Sequence, residues 1–312
     1  MTGGAGFIGS HIATHLSENG HEVRIFDNLS GHGSSERAAT LVSLPGIQLL
    51  TGDIRDIEGC HKISRGADFV LHHAAEPSVT RSVDDPAACA EINVAGTINM
   101  LVAAHAAKSV KRFVFASSCA VYGDTPADPK LETSPTDPLT PYATTKLAGE
   151  YFCQNFFRLH GLPTVVLRYF NVYGPGQDPN GAYAAVIPKF VTALVTGNRP
   201  VIYGDGEQSR DFVFVKDVVR ANLRAIISNS EVAGHTFNIG GGGHTSLNVL
   251  LKKLERILGM EIIPDKRDPR AGDIKYSHAD VSAAAKLLDF RPCVTLEEGL
   301  AQTLQWYDGN CK

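Results

Sequence analysis

Short, nearly continuous apolar runs alternate with longer stretches of helical period through the first two thirds of the chain. Glu22–Asp27 reads as a strand ending in an acid, Phe69–His72 as a second, Arg112–Phe115 as a third and Thr164–Leu167 as a fourth. Ile8–Glu18, Ile92–Ala107 and Tyr142–Leu159 carry the helical pattern between them. Strands lacking a polar face and separated by helices imply βαβ units and a parallel sheet covered on both sides. Right-handed crossovers wind such units into a doubly wound α/β sheet of Rossmann type. After about Asn171 the pattern changes: Gly174–Gly181 is rich in turn residues, alternation weakens, and helices are expected at Leu247–Leu258 and Asp280–Leu288. The expected division is a dinucleotide-binding body over 1–173 and a smaller α+β substrate-binding lobe mainly over 174–312, with a segment near 211–241 returning to the body.

The chain has 312 residues, 43% of them apolar, and a formal net charge of -4. That is ample for a packed core, and the mild acidity argues against nucleic acid as a partner. No run of about 18 apolar residues stands out, so no membrane span is expected. The start, Met1-Thr2-Gly3-Gly4, has neither a basic nor an apolar leader pattern, so a cytoplasmic setting is expected. Cys60, Cys89, Cys119, Cys153, Cys293 and Cys311 are irregularly spaced with no C-x-x-C pair, which fits reduced thiols. His11 and His15 are four apart and His72 and His73 adjacent, but no carboxylate completes an H-E-x-x-H pattern, so no metal site is expected.

Gly3, Gly6 and Gly9 fall at three-residue spacing before a helix. Small residues there let a loop backbone approach a pyrophosphate at the helix N-terminus, although three glycines alone also fit a plain tight turn. The strand that follows ends in Asp27, 18 residues beyond Gly9. An acid at that point accepts hydrogen bonds from both ribose hydroxyls of NAD and repels the 2′-phosphate of NADP. Only Met1 and Thr2 precede Gly3, so the first, central strand of the sheet is expected to be missing or truncated. Either the chain as it stands begins late, or the fold tolerates the loss.

Tyr142 and Lys146 lie four apart in Tyr-Ala-Thr-Thr-Lys and share one helix face, where the ammonium would lower the phenol's pKa. Two solvated helix residues would give the same spacing. Ser117-Ser118 closes the Arg112–Phe115 run at a strand's carboxyl end, where ligands bind in such sheets.

Taken in order, several strings resemble the extended short-chain dehydrogenases of the NAD-dependent epimerase/dehydratase family. They are T-G-G-A-G-F-I-G-S-H at Thr2–His11, F-D-N at Phe26–Asn28, G-D-I-R-D at Gly52–Asp56, H-A-A at His73–Ala75 and N-V-A-G-T at Asn93–Thr97. S-S-C-A-V-Y-G at Ser117–Gly123, Y-A-T-T-K at Tyr142–Lys146 and R-Y-F-N-V-Y-G at Arg168–Gly174 continue the set across the chain. The resemblance implies Tyr142 as acid/base, Lys146 on the nicotinamide ribose and Ser118 on the reacting sugar oxygen. It places Gly3, Gly6, Phe7, Ile8, Gly9, Asp27, Asn28, Ala74, Ala75, Asn93 and Tyr169 around NAD, with Asp53 and Ile54 at the adenine. It also implies a homodimer paired through the helices near Ile92–Ala107 and Tyr142–Leu159.

The branch of the family turns on fewer residues. The 4,6-dehydratases carry an Asp-Glu pair after the catalytic hydroxyl, where this chain has Cys119 and Ala120, and uronate decarboxylases carry a Glu at the second of these positions. Both departures point toward 4-epimerisation of a UDP-sugar. By the same resemblance Asn171, Arg210, Arg270 and Asp273 face the substrate diphosphate and Tyr203 the uracil, although each arginine alone fits a solvated surface pair. Gln177–Lys189 closely resembles bacterial UDP-N-acetylglucosamine 4-epimerases. Ser277 matches a gate that is tyrosine in epimerases restricted to non-acetylated sugars, and Ser78 and Gln177 match the same pocket. Pro77 departs, standing where acetyl-accepting relatives carry glycine, and Ser277 also fits an ordinary strand or turn serine. Three classes stay open: the epimerase, another nucleotide-sugar enzyme (a uronate decarboxylase or epimerase, a dehydratase or a net reductase), and a non-catalytic NAD-binding protein.

Overall fold

A computed structural model describes residues 1–126, 128–180, 185–269 and 275–310. The chain opens on α1 (Phe7–Glu18), β1 (Val23–Asp27), α2 (Ser34–Val42), β2 (Ile47–Thr51), α3 (Ile57–Ser64) and β3 (Phe69–His72). It continues through α4 (Val79–Asp84), α5 (Pro86–Ala90), α6 (Gly96–Ala107), β4 (Arg112–Ser118), α7 (Pro141–His160) and β5 (Thr164–Tyr169). β2, β1, β3, β4, β5 and β10 (Thr236–Ile239) lie side by side, every pairing parallel.

The two central neighbours, β1 and β3, are joined by Met1 and Thr2. Thr2 bridges Phe26 on one side and His72 on the other. Four backbone bonds close the join: Phe26 N–H to Met1 O at 2.8 Å, Gly3 N–H to Phe26 O at 3.1 Å, Thr2 N–H to Leu71 O at 3.0 Å and His73 N–H to Thr2 O at 3.2 Å. The expected first strand is therefore present as two residues at the carboxyl end of its slot. The chain winds outward from this point in one direction to β2 and in the other to β10. The slot is the switch point of the sheet, and Gly3 leaves it.

The strands lack a polar side because both faces are buried. Ile25, Leu71, Val114, Val165 and Leu167 pack with α1 and with α9 (Val215–Ile227). Phe26, Val70, Phe113, Phe115 and Val166 pack on the other side with Met100, Leu101 and Cys153 of α6 and α7. Neighbouring residues of one strand fall into opposite layers, as a period of two requires. The stretch Pro86–Ala107, where α5 and α6 join through a π-turn at Glu91–Ala95, is long and apolar enough by length and composition to cross a membrane, with a mean hydropathy of 1.4. In the fold it lies between α3 and α7, and its apolar residues serve this second layer.

Beyond β5 the chain forms β6 (Asn171–Tyr173), α8 (Val186–Val195), β7 (Val201–Tyr203), β8 (Ser209–Arg210) and β9 (Phe212–Phe214). After α9 and β10 come β11 (Thr245–Ser246), α10 (Leu247–Leu258), β12 (Asp265–Arg267), β13 (Tyr276–Ser277), α11 (Ser282–Leu287) and α12 (Leu296–Asn310). α8, α10 and α12 bury their own core, around Phe190, Leu250, Leu254 and Tyr307. α9, β10 and α11 belong to the large sheet: Val218, Phe237 and Ala284 share a core with Ile12 and Leu167.

Candidate active site

The glycine-rich turn fits a dinucleotide pyrophosphate. Gly3 has φ +66°, and a Cβ there would stand 2.5 Å from Ala74 N, so the turn presses on the end of β3. At Gly6 a Cβ would stand 3.1 Å from Gly3 O, so the turn is tight here too. Gly6 caps the 12-residue α1 without a side-chain bond, so the helix presents bare N–H groups and a positive dipole end. Phe7, Ile8 and Gly9 form its first turn. At the tip of β1, Asp27 accepts the Ala5 N–H and the Leu29 N–H, both at 2.9 Å, which aims the carboxylate along the groove edge.

The outer edge of the groove is already paired. Asp53 accepts a two-pronged bond from Arg55 at 2.9 Å and one from Asn28 at 3.0 Å, and the Arg55 bonds pull its carboxyl down to about 2. Ile54 is buried against Gly96. On the far side of Gly3, Ala74 donates to Thr2 Oγ1 at 3.3 Å and leads into Ala75. Asn93, in the π-turn, spends its amide internally: Oδ1 takes the Glu76 N–H at 2.7 Å, and Nδ2 reaches Glu76 O at 3.1 Å and Thr145 at 3.0 Å. It thus ties the segment after β3 to α7. Tyr169 is bonded through its hydroxyl to His73 at 3.0 Å and to Asn222, and burial raises its pKa.

Ser118, Tyr142 and Lys146 converge at the carboxyl edge of the sheet. Ser118 ends β4 and caps the following 3-10 turn by accepting the Ala120 N–H at 3.2 Å. Tyr142 is at the start of α7, which Thr140 caps and Pro141 opens. The Ser118 hydroxyl lies within hydrogen-bonding reach of the Tyr142 phenol. Lys146, one turn on, donates to Ala116 O at 2.9 Å, and its Nζ stands 5.9 Å from the centre of the Tyr142 ring. Burial pulls the ammonium down to about 8 and pushes the phenol up to about 12. The expected lowering of Tyr142 by Lys146 is not seen here: the phenol's own desolvation sets the shift, and Ser118 is the neighbour that opposes it.

The lobe supplies a cavity of about 550 Å³ lined by Asn171, Tyr203 and Arg210 among others. Asn171 donates to Asp211 O at 3.0 Å. Arg210 and Ser277 are directly paired across β8 and β13. The cavity's Arg210 end lies near the end of β4: the Arg210 guanidinium and Ser277 both favour the Cys119 thiolate. Burial raises the Cys119 thiol to about 11. Asp211, fully buried, holds this corner by accepting the N–H groups of Gly241 at 2.5 Å and Ala279 at 3.2 Å, while burial raises its carboxyl to about 6.

Two residues expected near the sugar also make bonds within the protein. Ser78 caps α4 by accepting the Arg81 N–H at 3.2 Å. Gln177 donates to Val172 O at 3.1 Å, and its side-chain oxygen is buried without a protein partner. Arg270 and Asp273 lie outside the described residues. Arg199 and Gln208 line the cavity and were not singled out from the sequence. Each sits in a turn-rich stretch where a lone polar residue carries no periodic signal.

The glycine cradle, the groove-edge acid and the phenol–ammonium pair define an NAD-binding enzyme of the doubly wound class. A profile of the NAD dependent epimerase/dehydratase family matches residues 1–240, and the chain belongs to this family. It is 39% identical to a putative UDP-glucose 4-epimerase of Methanocaldococcus jannaschii, covering 99% of this chain and 98% of that one. It is 34% identical to a UDP-N-acetyl-alpha-D-glucosaminuronate decarboxylase of Bacillus cytotoxicus, over 98% and 96% of the two chains. Among solved structures, a UDP-N-acetylglucosamine 4-epimerase from Methanobrevibacter ruminantium M1, in complex with UDP-N-acetylmuramic acid, superposes with a TM-score of 0.93 at 38% identity, covering 99% of this chain and 97% of that one.

Proposed function

We propose that this protein is a UDP-hexose 4-epimerase that inverts C4 through a transient 4-keto sugar. On this reading it turns over UDP-N-acetylglucosamine and UDP-N-acetylgalactosamine, and also UDP-glucose and UDP-galactose. NAD held by the Gly3–Gly9 turn and Asp27 would supply the hydride acceptor and donor at C4, so no net redox change would accumulate. Tyr142 removes the C4 hydroxyl proton, and Ser118, beside it at the end of β4, orients that oxygen. Lys146 holds its positive charge on the same helix face, which favours the phenolate in the working complex. Inversion requires the keto sugar to turn over within the site, and the cavity holding the nucleotide half would anchor it meanwhile.

The observation that carries this reading is the pair after Ser118. Cys119 is a neutral, high-pKa thiol and Ala120 a methyl, so this corner holds neither of the carboxyl groups that dehydration and decarboxylation use in the family's other branches. The exposed apolar residues Val102 on α6 and Tyr151 and Leu159 on α7 support a homodimer through these helices. The test is incubation of the purified protein and NAD with UDP-N-acetylglucosamine and UDP-glucose in parallel, followed by NMR of the anomeric protons. The expected result is the 4-epimer with no net NADH. Release of carbon dioxide from a uronate, or of water, with no 4-epimer would replace this reading.

A further inference from the structure

Three consecutive residues of β4 are each held by a different residue on one face of α7. Ala116 O accepts from Lys146 at 2.9 Å, Ser117 Oγ donates to Glu150 at 2.5 Å, and Ser118 is within reach of Tyr142. Tyr142, Lys146 and Glu150 are spaced four apart, so they form one stripe along the helix. The reaction accounts for the first two of these residues and leaves Glu150 unexplained. Its side chain is 2% exposed and that of Arg168 6%, and they form a fork at 2.6 and 2.9 Å. Arg168 stands opposite Ser117 in the β4–β5 register, as Tyr169 stands opposite Ser118. It also donates to the Tyr122 hydroxyl at 2.8 Å, and Tyr122 ends the turn that Ser118 begins.

We propose that Glu150, gripped by Arg168 and Ser117, is a positioning residue that sets the register of the catalytic helix on β4 and so places Tyr142 and Lys146. The inference rests on the reading of Tyr142 and Lys146 as the acid/base pair. Apart from the Lys146 bond to Ala116 O, α7 meets β4 through Gly149, whose bare Cα faces the Phe115 ring, and such a contact permits sliding. A slip of one residue would move Tyr142 by about 1.5 Å and turn it by about 100°. A misplacement near 1 Å can cost about 10²-fold in rate. A buried ion pair is weak support for stability, since apolar replacements of both partners are often tolerated, so its retention here fits a geometric role.

The experiment compares the NAD-loaded wild type with Glu150→Gln, Ser117→Ala and the double variant Glu150→Met/Arg168→Met. Each is measured for kcat and KM, for melting temperature, and for the NMR titration of the Lys146 ammonium in 13C-lysine-labelled protein, read against Lys146→Met. In Glu150→Gln and the double variant, kcat should fall about 10- to 100-fold while KM stays within about threefold. The Lys146 ammonium should titrate at higher pH, because it is no longer held in its buried seat on Ala116 O. A folded double variant with wild-type kcat and Lys146 titration would overturn the proposal. If both substitutions at Glu150 prevent folding, Ser117→Ala decides. A loss of about three- to tenfold in kcat at unchanged melting temperature supports the role, and unchanged kcat and titration refute it. The titration needs no substrate, so a wild type that epimerises nothing would sink the proposed activity and still leave the positioning role decided.

Discussion

Along the seam between β4 and α7, Ser117, Lys146 and Glu150, with Arg168 on β5, are buried and bonded to named partners, in elements of seven, 20 and six residues packed on a continuous core. In the lobe, Asn171, Tyr203, Arg210 and Ser277 are half-buried and sit on strands of two or three residues around a cavity. Proton transfer requires groups held to fractions of an ångström, and a long helix clamped to a central strand provides that. Recognition of a nucleotide and of one sugar substituent tolerates more play, and short strands with exposed neighbours can vary without disturbing the sheet.

The largest expected effect lies on the seam. Tyr142→Phe should lower kcat by at least about 10³-fold while the protein still co-purifies with NAD, and activity near the wild-type rate would end the acid/base assignment. Next comes the lobe. Arg210→Ala should raise KM for the UDP-sugar about 10- to 100-fold with kcat within about threefold, and a fall in kcat alone would move Arg210 into the chemistry. Ser277→Tyr should cut the rate on N-acetylated sugars about tenfold more than on UDP-galactose; equal losses would remove the gate.

The smallest effect concerns stability. Lys146 has its pKa lowered to about 8 in the fold from an ordinary lysine value of 10.5, so the folded state binds fewer protons between those limits and gains stability as pH rises through them. Below about 8 the full penalty of burying the ammonium is present. Lys146→Met should therefore stabilise the NAD-free protein by ~1–3 kcal/mol near neutral pH, with the advantage shrinking toward about pH 10. Urea denaturation at the two pH values checks this, and an advantage that grows with pH would contradict the assigned direction.

Much of the seam was legible because its signals are local. Helical spacing puts Tyr142 and Lys146 on one face, the apolar run before Ser118 marks a strand end, and the glycines with Asp27 mark a nucleotide turn. The helix at Leu247–Leu258 follows from its strong amphipathic stripe. β2, α2 and α3 were not singled out, because their short segments show no long periodic pattern. In the lobe, two-residue strands such as β8 and β13 carry no periodicity at all, so the pairing of Arg210 with Ser277 could not be read.

By itself the sequence determined the α/β class, the doubly wound order and the identity of the residues able to carry hydride and proton chemistry, because backbone period and motif spacing are properties of neighbouring residues. Tertiary structure alone decided the rest. It showed that Met1 and Thr2 join the two halves of the sheet, that Asn93 spends its amide on Glu76 and Thr145, that burial governs the Tyr142 phenol, and that Glu150 is drawn into the seam. Each of these depends on which distant segments share a low-dielectric space, and that is settled only when the core closes.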